Sequence, residues 1–335
     1  MFRPPRYARI ALVAVVAAVA AGTLATTSRL PIAPSGVTAA TRPPAPAVQP
    51  PWFHMHVASS VVSFWTPATM PAGAPPVRGR AGILVDMDTG EILWEKQADL
   101  ELAPASLTKV LTSLVALENF TPGQLVTVTA DALGQSSADT LMGLKAGETL
   151  SIEELLDGML LPSGDDAASA MAVDTVGEAR FVAAMNAQVV ALGLADSHFS
   201  ATAGLDDPAL YSSAYDLAVI AAYTYQQFPL FDQIVNTRTI NLPATALHPA
   251  FHLHNLDALL QAYPAAVGIK PGWTGNAGAC LIGMAVRDGH HLLSVLLSAN
   301  YPAQIESRLF DWGFHLEGLP PLLPPTPAPK ATPAA

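Results

Sequence analysis

The chain has 335 residues, 51% hydrophobic and 13% charged, with a formal net charge of −11. That length and apolar content support one large packed domain plus tails, and the acidic balance argues against a nucleic-acid partner, which usually meets a basic face. A single cysteine, Cys280, excludes an internal disulfide framework and reads as a small core residue in the apolar run ACLIGMAV.

Arg3, Arg6 and Arg9 precede the apolar run IALVAVVAAVAAGTLA (10–25), and Ala20, Ala21, Gly22 and Ala25 offer cleavage sites. Residues 1–27 therefore read as a signal peptide, with an uncleaved N-terminal anchor as the alternative, because the run is short of the about 20 apolar residues of a membrane span. Either reading places the protein outside the cytoplasm, on the cell-wall or periplasmic side, with membrane attachment available only through this segment. Residues 28–78 are a Pro/Ala-rich linker, interrupted by Trp52, Phe53, Phe64 and Trp65, an aromatic patch able to pack on a neighbouring domain. Residues 79–315 form the globular unit, and 316–335 read as a Pro-rich disordered tail.

Within the globular unit, AGILVDMDTGEILWEK (81–96) predicts a hairpin around Asp88-Thr89-Gly90. SLTKVLTSLVALEN (106–119) has helical apolar spacing, and SIEELLDGMLL (151–161) opens with a Ser151/Glu154 capping box. EARFVAAMNAQVVALG (178–193) and AYDLAVIAAYTYQQF (214–228) predict further helices. AVGIKPGW, GACLIGMAVRDG and HHLLSVLLSAN read as late strands with turns at Gly275–Gly278 and Asp288-Gly289, and IESRLFDWGFHLE closes with a helix. The order implies an α+β fold: one antiparallel sheet flanked by helices, with a helical insertion.

Three short groups carry candidate chemistry. Ser106 and Lys109 lie one helical turn apart, so an ammonium can reach a hydroxyl. A serine attacks at neutral pH only when a neighbouring base takes its proton. Ser163-Gly164-Asp165 reads locally as an N-cap ahead of the helix DAASAMAV, and Lys270-Pro271-Gly272 reads locally as a turn between strands. Each has a plain structural reading when taken alone. Paired histidines (His54/His56, His252/His254, His290/His291) lack an accompanying carboxylate or thiolate set, so no metal is expected. Asp86 and Asp88 read as turn chemistry, Glu118 as structural, and Tyr211 and Tyr215 as surface or core.

Taken together, Ser-x-x-Lys opening a helix, Ser-Gly-x after a helix and Lys-x-Gly on a late strand resemble the ordered motifs of the penicillin-recognising serine enzymes. The similarity is to D-alanyl-D-alanine carboxypeptidases, the low-molecular-mass penicillin-binding proteins. It extends through VDMDTGEILWEKQADLELAPASLTKVLTSLVALE, AGETLSIEELLDGMLLPSGDDAA, FVAAMNAQVVALGLADSHFSATAGL, SAYDLAVIA and HNLDALL. The resemblance implies a β-lactamase/transpeptidase-like fold and removal of the terminal D-alanine from peptidoglycan stem peptides through an acyl-enzyme, with β-lactams as inhibitors and no cofactor. It implies Ser106 as nucleophile, Lys109 as base and Ser163 as proton relay. The backbone N–H groups of Ser106 and Trp273 would hold the oxyanion, Gly272 would allow close approach, and Lys270 would attract the substrate carboxylate.

Two positions depart from the family pattern. Pro271 stands where a threonine hydroxyl is usual, and Asp165 stands where an asparagine amide is usual; an ionised carboxylate cannot donate, and it would hold Lys109 charged. Thr274 points away from the direction of residue 271 by strand alternation. These departures support a second reading, a cell-wall binding or scaffold protein that keeps the fold, and a third, a β-lactamase using Asp165. Carboxypeptidase and endopeptidase activities are not separated by the sequence.

Overall fold

The computed structural model describes residues 62–135 and 140–324. The 1–27 segment, Trp52, Phe53, His54, His56 and residues 325–335 lie outside them. In chain order, β1 (Ala81–Asp86) and β2 (Ile92–Lys96) form the expected hairpin. Its turn is held by the Asp86 carboxylate, which accepts from the N–H groups of Asp88 (2.8 Å) and Thr89 (3.2 Å), an Asx turn. A 3-10 turn at Ala105–Leu107 leads into α1 (Thr108–Asn119). Then follow β3 (Leu125–Thr127), α2 (Ala130–Gln135), β4 (Thr149–Ser151), α3 (Ile152–Leu160), α4 (Asp165–Val173), α5 (Glu178–Ala191), α6 (Ala214–Gln227) and α7 (Pro229–Asn236). The hairpin of β5 (Thr239–Leu242) and β6 (Phe251–His254) and the short α8 (Leu259–Ala262) precede the late strands. These are β7 (Ala266–Thr274), β8 (Gly278–Arg287) and β9 (His290–Leu297), followed by α9 (Pro302–Leu316).

The five long strands make one antiparallel sheet in the order β2-β1-β9-β8-β7. Alternate residues enter two different cores. Ile83, Val85, Ile282, Met284, Leu293 and Val295 pack against the helical subdomain. Leu84, Leu281, Ala285, Leu292 and Leu296 pack against α8 and α9. A sheet buried on both faces explains why β8 and β9 read as unbroken apolar runs rather than alternating ones. The Ser151/Glu154 capping box is present in full: Glu154 N–H donates to Ser151 Oγ (3.2 Å), and Ser151 N–H donates to Glu154 Oε2 (2.8 Å).

The composition-based boundaries differ from the packing at both ends. Residues 62–78, assigned to a spacer, lie on the domain: Phe64 is buried edge-on against Tyr215, and Trp65 exchanges backbone hydrogen bonds with Gly90 and Ile92 at 2.9 Å. Residues 317–324, assigned to a disordered tail, are also docked. Leu322 and Leu323 donate backbone N–H groups to the Asp311 carboxylate (2.9 and 2.8 Å), and Arg287 donates to the Pro320 carbonyl (2.6 Å). Proline-rich composition describes the backbone of these segments but not the apolar side chains that fix them.

One buried acid crosses this fold. Glu306 on α9 is fully buried over Gly283 of β8, where a Cβ would overlap its carboxylate and displace it. Burial first, then the negative charge of Asp257, push the Glu306 carboxyl well above its ordinary value.

Two measurements test these packing assignments. Phe64→Ala is expected to destabilise the domain by about 3 kcal/mol, lowering the melting temperature by roughly 5–10 °C; a free spacer would show no change. Because the folded-state pKa of Glu306 is raised, its contribution is fully present below the unfolded carboxyl value and is lost as pH rises toward the folded one. Glu306→Gln should therefore match wild type near pH 4 and gain melting temperature over it progressively toward pH 8. A pH-independent offset would contradict the assignment.

Candidate active site

Ser106 sits in the 3-10 turn ahead of α1, not inside the helix. Ala105 takes the left-handed conformation (φ 51°), which turns Ser106 toward a cleft of about 700 Å³. Two glycines press on this turn. Gly204 lies so close to the Ala105 carbonyl that a Cβ there would overlap it. On β7, a Cβ at Gly272 would sit 3.0 Å from the Ser106 amide nitrogen and 3.3 Å from that of Leu107.

Lys109, on the first turn of α1, is fully buried beneath the serine. Its ammonium donates to Ser106 Oγ (3.0 Å), Asp165 Oδ1 (2.7 Å) and the Ala203 carbonyl (2.9 Å). The sequence expectation that Asp165 would hold Lys109 charged needs amendment. Burial is the largest influence and pushes the lysine below its ordinary value, while Asp165 and, more weakly, Asp166 oppose it.

The Ser163-Gly164-Asp165 segment enters the site at the start of α4. Ser163 is not the helix cap; that position is Gly164, with no side-chain cap bond. Ser163 adopts φ 62° and lines the cleft with Ser106, but it is not among the three acceptors of Lys109. Asp165 lines the cleft and meets Lys109. Asp166 points elsewhere: its carboxylate accepts from the N–H groups of Met142 (2.8 Å), Gly143 (2.8 Å), Leu144 (2.9 Å) and Ala167 (2.9 Å). It thereby pins the preceding loop against α4 and sets Thr140 in the cleft wall, where the Thr140 hydroxyl donates to the Ser163 carbonyl (2.9 Å).

The opposite wall is the free edge of β7: Pro271, Gly272, Trp273 and Thr274. Pro271 pairs in register with Leu281. A proline nitrogen is tolerated where it faces away from the neighbouring strand, and in an antiparallel ladder the carbonyl of the same residue points the same way. That outward carbonyl is occupied by Lys270, whose Nζ donates to it at 3.1 Å. Trp273, two residues on, presents its N–H to the same open edge beside the Ser106 turn, and its side chain is 70% exposed. Thr274 lines the cleft, but its hydroxyl accepts the Ala277 N–H (3.1 Å) within the following turn. Asp206, across the mouth, holds that turn by accepting the Asn276 N–H (3.2 Å).

Lys270 is fully buried and is not a lining side chain. Burial, followed by the charge of Lys109, pushes it down to about 7, with Asp257 and Asp165 opposing. Ser106, Ser163, Asp165, Gly272 and Trp273 thus line one cleft, with Lys109 and Lys270 beneath it. Sequence reading missed Thr140, Leu205, Asp206 and Leu256 on its walls. For Thr140 the available signal was the second acid of the Asp165-Asp166 pair, a helix N-terminal acid able to gather loop N–H groups.

The other candidates have structural partners. Asp88 accepts from the His291 ring (2.9 Å), His290 lies 3.8 Å from Glu317, and His252 contacts Asn241 at 2.7 Å. Glu118 accepts from Gln188 (3.1 Å) at the end of α1, and burial pushes it up to about 8. Tyr215 bonds the Phe64 backbone, and Tyr211 stacks on His198. Among the described residues, no three His, Cys, Asp or Glu side chains gather as a metal site.

Residues 68–301 match the family model described as D-alanyl-D-alanine carboxypeptidase, a peptidase family. The D-alanyl-D-alanine carboxypeptidase DacB2 of Mycobacterium tuberculosis is 34% identical over 265 residues, 75% of this chain and 89% of that protein. DacA of Escherichia coli is 34% identical over 260 residues, 73% of this chain but only 63% of the longer relative. Among solved structures, a D-alanyl-D-alanine carboxypeptidase from Mycobacterium tuberculosis superposes with a TM-score of 0.67 at 32% identity, covering 74% of this chain and 96% of that one. The DD-transpeptidase of a Streptomyces strain superposes with a TM-score of 0.68 at 27% identity, covering 73% of this chain and all of that one. With this fold, and with the serine–lysine pair at the floor of its cleft, the chain belongs to the D-alanyl-D-alanine carboxypeptidase family of serine peptidases.

Proposed function

We propose that the protein removes the terminal D-alanine from peptidoglycan stem peptides through an acyl-enzyme on Ser106. The observation that carries the proposal is the 3.0 Å contact between Lys109 Nζ and Ser106 Oγ at the floor of a cleft bordered by an open strand edge. The peptide lies along β7, with its scissile carbonyl above Ser106. Lys109 takes the hydroxyl proton as Oγ attacks, and the N–H groups of Ser106 and Trp273 receive the developing oxyanion. Donors fixed in this way lower a barrier by about 3 kcal/mol each. The departing D-alanine nitrogen is protonated from Lys109 by way of Ser163, and water then releases the shortened peptide. Lys270 places a positive charge behind the strand for the substrate's terminal carboxylate. The reading of residues 1–27 as a signal peptide or N-terminal anchor agrees with a substrate outside the cytoplasm.

The scaffold reading rests on Pro271 and Asp165. The assembled Ser106–Lys109 contact favours the enzyme over it, because a protein needing only to bind gains nothing from a fully buried lysine under a serine.

A fluorescent penicillin is expected to add covalently to the folded wild-type protein, and the mass adduct is expected to vanish in Ser106→Ala. A folded protein that forms no adduct would favour the scaffold. Pro271→Thr restores a hydroxyl and an N–H to the edge. A hydrogen bond to a charged group contributes about 1.5–3 kcal/mol, so kcat/KM for D-alanine release should rise roughly tenfold or more. An unchanged value would show that the edge at 271 does not meet the substrate.

A further inference from the structure

The hydrogen bonds of Lys109 pose a problem for any reaction in which it acts as a base. Its three donors meet three acceptors, Ser106 Oγ, Asp165 Oδ1 and the Ala203 carbonyl. That arrangement describes an ammonium, which has no lone pair for the Ser106 proton. Before Ser106 can be deprotonated, Lys109 must lose a proton. A carbonyl and a neutral hydroxyl do not hold one at neutral pH, and bulk water does not reach a fully buried group. Asp166 is occupied by four backbone N–H groups. Among the described residues, only Asp165, at 2.7 Å and itself 2% exposed, is both basic and in contact.

We propose that Asp165 is the resident proton acceptor of Lys109, so that the reactive form of the pair is a neutral amine beside a neutral carboxylic acid. This rests on the acylating-serine reading given above. The Nζ–H bond breaks and an Oδ1–H bond forms, leaving the net charge of the pair at zero. Ser106 Oγ then bonds to the substrate carbonyl carbon, the C=O π pair moves to oxygen, and the Ser106 proton passes to the Lys109 lone pair. On collapse, the carbonyl re-forms, the C–N bond breaks, and that proton leaves with the amine by way of Ser163. The pair returns to its neutral form, one proton transfer from its starting state. Burial favours this exchange, because two neutral groups replace two ions in a poorly solvated site. The other charged groups around the pair are common to every state: Asp166 on α4, and Lys270 on β7 with Asp257 and Glu306 behind it.

In this scheme the lysine is freed internally, without releasing a proton to solvent. An amide at 165 cannot accept that proton, so Lys109 would have to titrate against bulk. The test compares wild type with Asp165→Asn. The first-order acylation constant at saturating penicillin is followed by intact mass well below the value of about 7 to which burial lowers Lys270, where that lysine is mostly protonated. The 13Cε resonance of Lys109 is titrated in parallel. Wild type is expected to change less than about twofold down to pH 5.5, whereas Asp165→Asn loses about tenfold per pH unit, with the lysine resonance moving at the same midpoint. Superimposable acid limbs in wild type and Asp165→Asn would overturn the proposal. If wild type forms no adduct, the acylating-serine reading fails separately, and the resonance decides for the pair. A Lys109 resonance that titrates against bulk in wild type as it does in Asp165→Asn overturns the proton-acceptor role, and one that stays constant in wild type from pH 7 to 5.5 while it moves in Asp165→Asn supports it.

Discussion

The buried Lys109 ammonium is the constraint around which the site is assembled. A charge removed from water is tolerated only when its donors are all matched, since the desolvation cost is several kcal/mol per ion. The three acceptors come from three parts of the chain: the 3-10 turn, the start of α4 and the loop ending at Gly204. Meeting them together fixes how these segments approach one another. It also accounts for the left-handed backbone at Ala105 and Ser163, each of which costs about 1–3 kcal/mol and persists only where its surroundings over-determine it.

The second constraint is the open edge of β7. An unpaired edge is a template for another strand, and here it forms one wall of the cleft. Pro271 removes a donor from that edge, and Lys270 covers the carbonyl of the same residue. The main-chain groups left for a ligand are therefore those at Trp273, directly beside Ser106. A peptide docking along the strand is registered by one residue of backbone rather than two, so its position depends heavily on the side chains around the cleft mouth. Leu205, Leu256 and Trp273 are apolar, and Asp206 is the acid there.

Much of this was legible in the sequence, for identifiable reasons. The hairpin, the capping box and the late strands follow from local chemistry: an Asx turn, a reciprocal side-chain cap and strand-length apolar runs between turns. Ser106, Lys109 and Asp165 stand at helix starts that the sequence marks, whereas Lys270, Pro271 and Gly272 lie inside β7. Long-range packing was not legible. Phe64 and Leu323 sit in proline-rich stretches whose composition signals extended chain, and nothing local reveals the surfaces they meet. Thr140 and Asp206 reach the cleft through loops fixed by tertiary contacts. Ser163 looked like a helix cap because serine at that position usually is one; the helix instead begins from Gly164, leaving the serine side chain in the cleft wall.

The two departures from the family motifs become intelligible as a pair when the buried charge is considered. Lys109 and Lys270 lie under the same cleft, and the charge of one lowers the pKa of the other. With a neutral amide at 165, two ammonium groups would share a desolvated space with Asp257 as the nearest direct counterweight to Lys270. Asp165 adds a carboxylate in contact with Lys109 and within the field of Lys270. At 271 the backbone carbonyl, which any residue there would supply, receives the second ammonium. Each lysine thus has its own acceptor on the chain, and neither depends on a bound anion to remain buried.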